Sequence, residues 1–188
     1  MRSFDLYLMR HGPPVRSGLM LGHSDEPAVP GGHDRLIAQA QSIAADRIVA
    51  SDLRRAADGA SAIGEARDLP LWLDLRWREL DFGAWDGCDP AALPEQDLQR
   101  FWADPDRHPP PGGESWSTLR KRVRAALFAL SGPAIVVAHA GSIRAAVSVL
   151  TGLDHRGVWA FDLPYGAVIC MRVWPDGGLT GQITGLKP

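Results

Sequence analysis

The sequence predicts an α/β fold: a three-layer α/β/α sandwich with a mainly parallel sheet and helices on both faces. Three observations carry that prediction. Ala134-Ile135-Val136-Val137-Ala138 is a continuous β-branched run, the pattern of a strand buried on both faces. Phe4 to Met9 is a second short, mostly apolar run. Strand-like runs then alternate with stretches of helical spacing, the order that builds crossovers and parallel pairing.

The elements follow in order. The first strand covers residues 4–9 and ends at Arg10-His11-Gly12, because Gly12 and Pro13-Pro14 cannot continue a ladder. Residues 13–33 contain Pro13, Pro14, Pro27 and Pro30 among several glycines and read as a long loop, a kind that commonly carries function. A helix is expected from Asp34, as N-cap, to Ala45, with Leu36, Ile37, Ala40, Ile43 and Ala44 on one face. Residues 47–51 read as the second strand. Ser51 or Asp52 then caps a helix to about Ala66, and residues 71–75 read as a third strand or edge. Residues 76–115 are irregular, with a helix near 94–102, and close on the stiff Pro109-Pro110-Pro111-Gly112-Gly113 connector. Leu119, Val123, Ala126, Leu127 and Leu130 give a helix over 116–130 with its basic face to solvent. Residues 134–138 form the central strand, Gly141 to Leu150 a helix, and 166–174 and 179–186 two last strands joined by a turn at Asp176-Gly177-Gly178.

Composition narrows the class. The chain has 188 residues, 45% hydrophobic and 22% charged, as expected of one globular domain over 1–188 with a lid-like insertion at about 83–115. A net charge of −2 gives no global field for nucleic acid or an anionic membrane. No apolar run approaches a membrane span, and Asp5 interrupts any signal-peptide core. Cys88 and Cys170 are the only cysteines, so no disulfide framework is implied and the cytoplasm is the expected location.

Four polar clusters follow strand-like runs, where ligands gather in open α/β sheets. They are Arg10-His11-Gly12, Ser51-Asp52-Leu53-Arg54-Arg55-Ala56, Arg78-Glu79 and His139-Ala140-Gly141. Arg-His-Gly alone could be a surface turn. Together, two histidines, arginines and a carboxylate suit phosphoryl transfer. Neutral imidazole is a nucleophile. Guanidinium matches phosphate oxygens in bidentate geometry. A carboxyl group can protonate the departing oxygen. A second histidine, if cationic, adds charge opposite the equatorial oxygens.

These motifs, with Arg78 to Gly87, Pro111-Gly112-Gly113-Glu114-Ser115 and Val137 to Gly141, resemble the ordered motif set of the histidine phosphatase superfamily, in its phosphoglycerate-mutase-like branch. The resemblance spans residues 4–150. It implies that His11 is the phosphorylated nucleophile, that Arg10, Arg55 and His139 bind phosphate, and that Glu79 is the general acid and base. The S-x-L-x-R-A register selects Arg55 over Arg54. Gly12, Ser17, Glu114 and Ser115 are candidates for the substrate side, although Ser115 could equally cap the helix at 116. Arg144 reads as an ion-pair partner, Asp52 as a cap, and His23, His33, His108 and His155 as surface residues. The tryptophans read mostly as packing, with Trp85, Trp102 and Trp116 open to lining a substrate mouth. No H-E-x-x-H, C-x-x-C or carboxylate cluster of metal type is present, so no metal and no cofactor are expected.

Mutase members usually carry Glu or Gln, then Thr, after Arg-His-Gly, where this chain has Pro13 and Pro14, and an Asn further on, where it has Ser17. The resemblance therefore implies a phosphomonoesterase acting through phosphohistidine on a small-molecule phosphate ester, closest in appearance to α-ribazole phosphatase-like members of cobalamin nucleotide-loop assembly. A phosphoglycerate mutase, a phosphoprotein phosphatase and a non-enzymatic binding protein on the same fold are the rivals.

Overall fold

A computed structural model describes residues 3–176 and 178–188 of the chain. Gly177, in the expected final turn, and Met1-Arg2 lie outside the described residues. Six strands form one sheet: β1 (Phe4–Arg10), β2 (Ile48–Ala50), β3 (Leu71–Leu73), β4 (Ala134–Ala138), β5 (Val168–Trp174) and β6 (Thr180–Lys187). Their spatial order is β3-β2-β4-β1-β5-β6. The first four strands pair in parallel, whereas β5 runs antiparallel to both β1 and β6. The sheet is thus mixed, with a parallel centre.

Among the described residues six α-helices accompany it: α1 (Asp34–Ala40), α2 (Arg54–Arg67), α3 (Glu95–Ala103), α4 (Trp116–Phe128), α5 (Ala140–Thr151) and α6 (His155–Trp159). Alternation along β1 and β4 divides the core. Leu6, Leu8, Ala134 and Val136 pack with Leu119, Val123, Ile143 and Val147 of α4 and α5. Met9, Ile135 and Val137 pack with Leu36, Ala56, Ala60 and Ile63 of α1 and α2. Successive side chains of one strand serve opposite faces, so these short apolar runs hold two layers of helices.

Several expected boundaries shift for physical reasons. α1 begins at Asp34, without a side-chain cap, and stops at Ala40. There the Ala40 carbonyl accepts from the Ile43 N–H at 3.1 Å, a tightened i+3 bond, and also from the Arg67 guanidinium. α2 is not capped by Ser51 or Asp52: Asp25, from the proline-rich loop, accepts the Arg54 N–H at 2.7 Å. Asp52 instead accepts both nitrogens of the Arg78 fork, at 2.7 and 2.5 Å. Ser115 caps α4, accepting from the Thr118 N–H at 3.2 Å. α6 answers to no expected helix; Asp154 caps it through the Gly157 N–H at 2.7 Å. Residues 76–115 are irregular as expected, with three short 3₁₀ turns (one beginning just earlier, at Leu75–Trp77), and α3 falls at the helix expected near 94–102. Trp85 and Phe101 from this segment are buried against the main core. Among the described residues no helix is long and apolar enough to cross a membrane.

Candidate active site

The site lies beyond the carboxyl ends of β1, β4 and β2. Parallel pairing sets Arg10 opposite Ala138. The His11 N–H continues the ladder onto the Ala138 carbonyl at 2.9 Å, and the Ser51 N–H onto Val137 at 3.0 Å. The next residues on the two central strands, His11 and His139, therefore meet, with ring centroids 4.9 Å apart.

The His11 ring is buried, and its Nδ1 lies 2.6 Å from the Gly12 carbonyl oxygen. A carbonyl only accepts, so Nδ1 carries the proton and Nε2 keeps the lone pair. Burial pushes His11 well below the ordinary imidazole range, and the cations of Arg55 and Arg10 push the same way. His139 is depressed in the same manner, first by burial, then by His11, Arg55 and the other nearby cations. Both shifts favour the neutral imidazole in the unliganded protein. Both of its ring nitrogens lack a partner among the described residues. An arriving phosphate would supply one.

Arg55, in the first turn of α2, is 1% exposed. Its Nη1 donates to the Ser24 carbonyl at 2.7 Å and its Nη2 to Gly22 at 2.7 Å. Burial lowers its affinity for a proton, with Glu79 the leading opposing influence. Arg10 donates to the Leu163 carbonyl at 2.6 Å, while its guanidinium carbon lies 3.9 Å from the Tyr165 ring centroid. Glu79 Oε2 accepts from the Gly141 N–H at 3.0 Å and Oε1 from the Leu80 N–H at 2.8 Å. Its carboxylate thus sits at the positive end of α5. Gly141 is required there: a Cβ would stand 2.1 Å from Glu79 Oε1. Behind Glu79, Arg122 donates to the carbonyls of Arg76, Arg78 and Glu79 and forms a fork onto Glu114.

Arg10, His11, Arg55 and Glu79 line one cavity of about 200 Å³, together with Tyr165 and Trp102. The other named candidates stand elsewhere. Glu114 is engaged by Arg122 at 2.8 Å, and Glu114 and Ser115 line a different hollow with His23 and Arg78. Ser17 is exposed on the loop. Gly12 is buried; a Cβ on it would meet the Gly32 carbonyl oxygen at 2.0 Å, so its position is set by backbone packing. Arg54 is exposed near Asp58. Arg144 makes no ion pair among the described residues; it donates to the Val158 carbonyl at 3.2 Å. His108 is exposed, whereas His23, His33 and His155 are half-buried. Sequence reasoning missed Tyr165, which no local pattern marks. Among the described residues, no three His, Cys, Asp or Glu side chains gather as a metal site.

Comparison with known proteins agrees with this geometry. The profile of the histidine phosphatase superfamily, branch 1, matches residues 6–182. A glucosyl-3-phosphoglycerate phosphatase of Mycolicibacterium vanbaalenii is 33% identical over 174 residues, covering 81% of this chain and 76% of the relative. The adenosylcobalamin/alpha-ribazole phosphatase of Escherichia coli is 27% identical, covering 86% of each. A mycobacterial glucosyl-3-phosphoglycerate phosphatase complexed with VO3 superposes with a TM-score of 0.87 at 25% identity, over 97% of this chain and 98% of that one. The chain belongs to branch 1 of the histidine phosphatase superfamily and is a phosphatase of that superfamily.

Proposed function

We propose that the chain is a metal-independent phosphomonoesterase that works through phospho-His11 on a small phosphate ester. The observation that carries this reading is the neutral, buried His11 with its Nδ1 proton held by the Gly12 carbonyl, facing a cavity lined by Arg10, Arg55 and Glu79. The Nε2 lone pair attacks phosphorus as the bond to the alcohol oxygen breaks. Glu79 gives that oxygen its proton. Water then attacks phospho-His11, returning a proton to Glu79 and releasing phosphate. Arg10 and Arg55 stabilise the equatorial oxygens, a preorganised role worth about 10² to 10³ in rate per donor. His139 acquires its charge when the phosphate dianion outweighs the neighbouring cations, which makes it a donor in the complex.

The segment at 83–115 acts as a lid in this reading. The known substrates in the names of relatives include glucosyl-3-phosphoglycerate and α-ribazole phosphate. α-Ribazole 5′-phosphate is the candidate that the sequence resemblance favours. Hydrolysis rather than mutase transfer is supported by Pro13 and Pro14, which supply no side-chain hydrogen bond to a second phosphorylated substrate.

The test is a quench with labelled ester under conditions that preserve phosphohistidine. Acid-labile, alkali-stable label should map to the peptide containing His11. Turnover should persist in EDTA, and vanadate should inhibit. Label on Ser or Asp, or activity lost to EDTA and restored by zinc or magnesium, would overturn the mechanism.

A further inference from the structure

A second cavity, of about 610 Å³, opens beside the phosphate cavity. Glu79, Phe82 and Trp102 line both, so the carboxylate that would protonate the leaving oxygen stands in the wall between them. The larger chamber is aromatic. Trp159 packs edge-on against Trp102 and Trp116, with centroids 5.7 and 5.6 Å apart, and Phe101 meets Trp102 at 4.7 Å. These rings come from α3, α4 and α6, which share no short-range sequence pattern.

The polar lining narrows what the chamber can hold. An aromatic enclosure is often a site for a quaternary ammonium. Here Arg144, His155 and Arg156 also line it, and Glu79 is the one carboxylate, with both oxygens already accepting backbone N–H groups. A cationic ligand would meet two guanidinium groups, with the one carboxylate already held by backbone N–H groups. A polyhydroxylated ligand would find no side-chain amide and no free carboxylate in the lining. A bulky apolar group finds the rings of Phe101, Trp102, Trp116 and Trp159 to pack on, with Arg144 standing 4.9 Å over the Trp159 ring.

We infer that this chamber receives the alcohol portion of the substrate, and that this alcohol carries a bulky apolar, uncharged or anionic group. The inference rests on the phosphatase reading above. An ester with phosphorus at His11 then points its alcohol past Glu79 into the chamber. The phosphate cavity fixes the chemistry and the tryptophans fix the choice of ester.

Two alkyl phosphates with similar leaving groups separate chamber binding from acid catalysis: ethyl phosphate and naphthylethyl phosphate. In the wild type, kcat/KM should favour the naphthylethyl ester by about 10²-fold, the scale on which apolar pockets discriminate. Trp159→Ala should lower that ratio about tenfold. Trp159 is 38% exposed, so its removal leaves no void in the main core. Ala160→Trp, which fills the chamber from the exposed end of α6, should lower the ratio as well. Binding of naphthylethanol, followed by calorimetry, should weaken in both variants, and phosphocholine should be a poorer substrate than the naphthylethyl ester. A ratio near one with measurable turnover, or a ratio that neither variant changes, overturns the chamber assignment and leaves the phosphatase reading standing. If no ester turns over, the phosphatase reading fails, and naphthylethanol binding decides the chamber by itself: saturable and weakened in the variants supports it, absent overturns it.

Discussion

Gly141→Ala tests Glu79 as the proposed acid without substituting it. The new Cβ would sit 2.1 Å from Glu79 Oε1 and 3.1 Å from its carboxyl carbon. A carbon–oxygen contact settles at about 3.3 Å, so the carboxylate must retreat by roughly 1 Å and give up the 3.0 Å hydrogen bond from the residue 141 N–H. Alanine is the better helix former by about 1 kcal/mol, against a charge-assisted hydrogen bond worth about 1.5 to 3 kcal/mol, so the protein should stay folded. A misplacement of about 1 Å costs on the order of 10²-fold where a positioned group acts. That cost should fall where the proton matters. Alkoxide leaving groups, with conjugate acids of pKa about 15, need it, while p-nitrophenolate, at about 7, hardly does. Single-turnover phosphorylation of His11 by ethyl phosphate should therefore slow about 10²-fold, and by p-nitrophenyl phosphate much less. Adding Glu79→Gln should cost little more than either change alone, because both remove one interaction. Equal slowing of the two esters, or full additivity, would refute the assignment of Glu79 as the acid.

Two further predictions concern the phosphate cavity. Arg55→Ala should cost kcat/KM about 10³-fold or more, because it removes phosphate contacts and the donors that hold the 21–24 loop. Arg54→Ala, exposed and 3.9 Å from Asp58, should change it by less than about threefold; comparable losses would reverse the pair. Stability should also follow the two buried imidazoles. Both are held below the ordinary value of about 6.5, so the unfolded chain takes up protons first on acidification. Their contribution is complete above that value and is lost as pH falls below it. The melting temperature should drop between about pH 7 and pH 5, and His139→Asn should reduce that slope. A melting temperature that rises on acidification in this window would contradict the neutral pair.

What the sequence made legible, and what it did not, divides along the range of the interactions. The expected strand at 134–138 coincides with β4, and the first strand differs from β1 by one residue, because continuous apolar runs fix buried strands locally. The two histidines could be placed beyond strand ends from Gly12 with Pro13-Pro14 and from the end of the β-branched run at Ala138. The caps could not be read so well. Asp25 caps α2 from a distant loop, and Arg67 from another helix donates to the last carbonyl of α1. Glu114 reads in sequence as a substrate-side candidate, but Arg122 engages it and uses its remaining donors on the carbonyls of Arg78 and Glu79. Tyr165 under Arg10, and the meeting of Trp102, Trp116 and Trp159, exist only once distant segments are folded together.

The position of β1 in the sheet sets a timetable. It ends at Arg10, next to the proposed nucleophile His11, and its two neighbours are β4 and β5. During synthesis, β1 emerges with nothing to pair with until residues 134–138 and 168–174 have left the ribosome. Helices α1 and α2 can form early, but the sheet they cover has no centre. Loop closure over such separations makes folding slow and leaves an apolar strand waiting in the open. A nascent chain halted before β4 thus holds Arg10, His11, Arg55 and Glu79 and cannot assemble them. Phosphatase activity should appear in one step, late, when the central ladder closes.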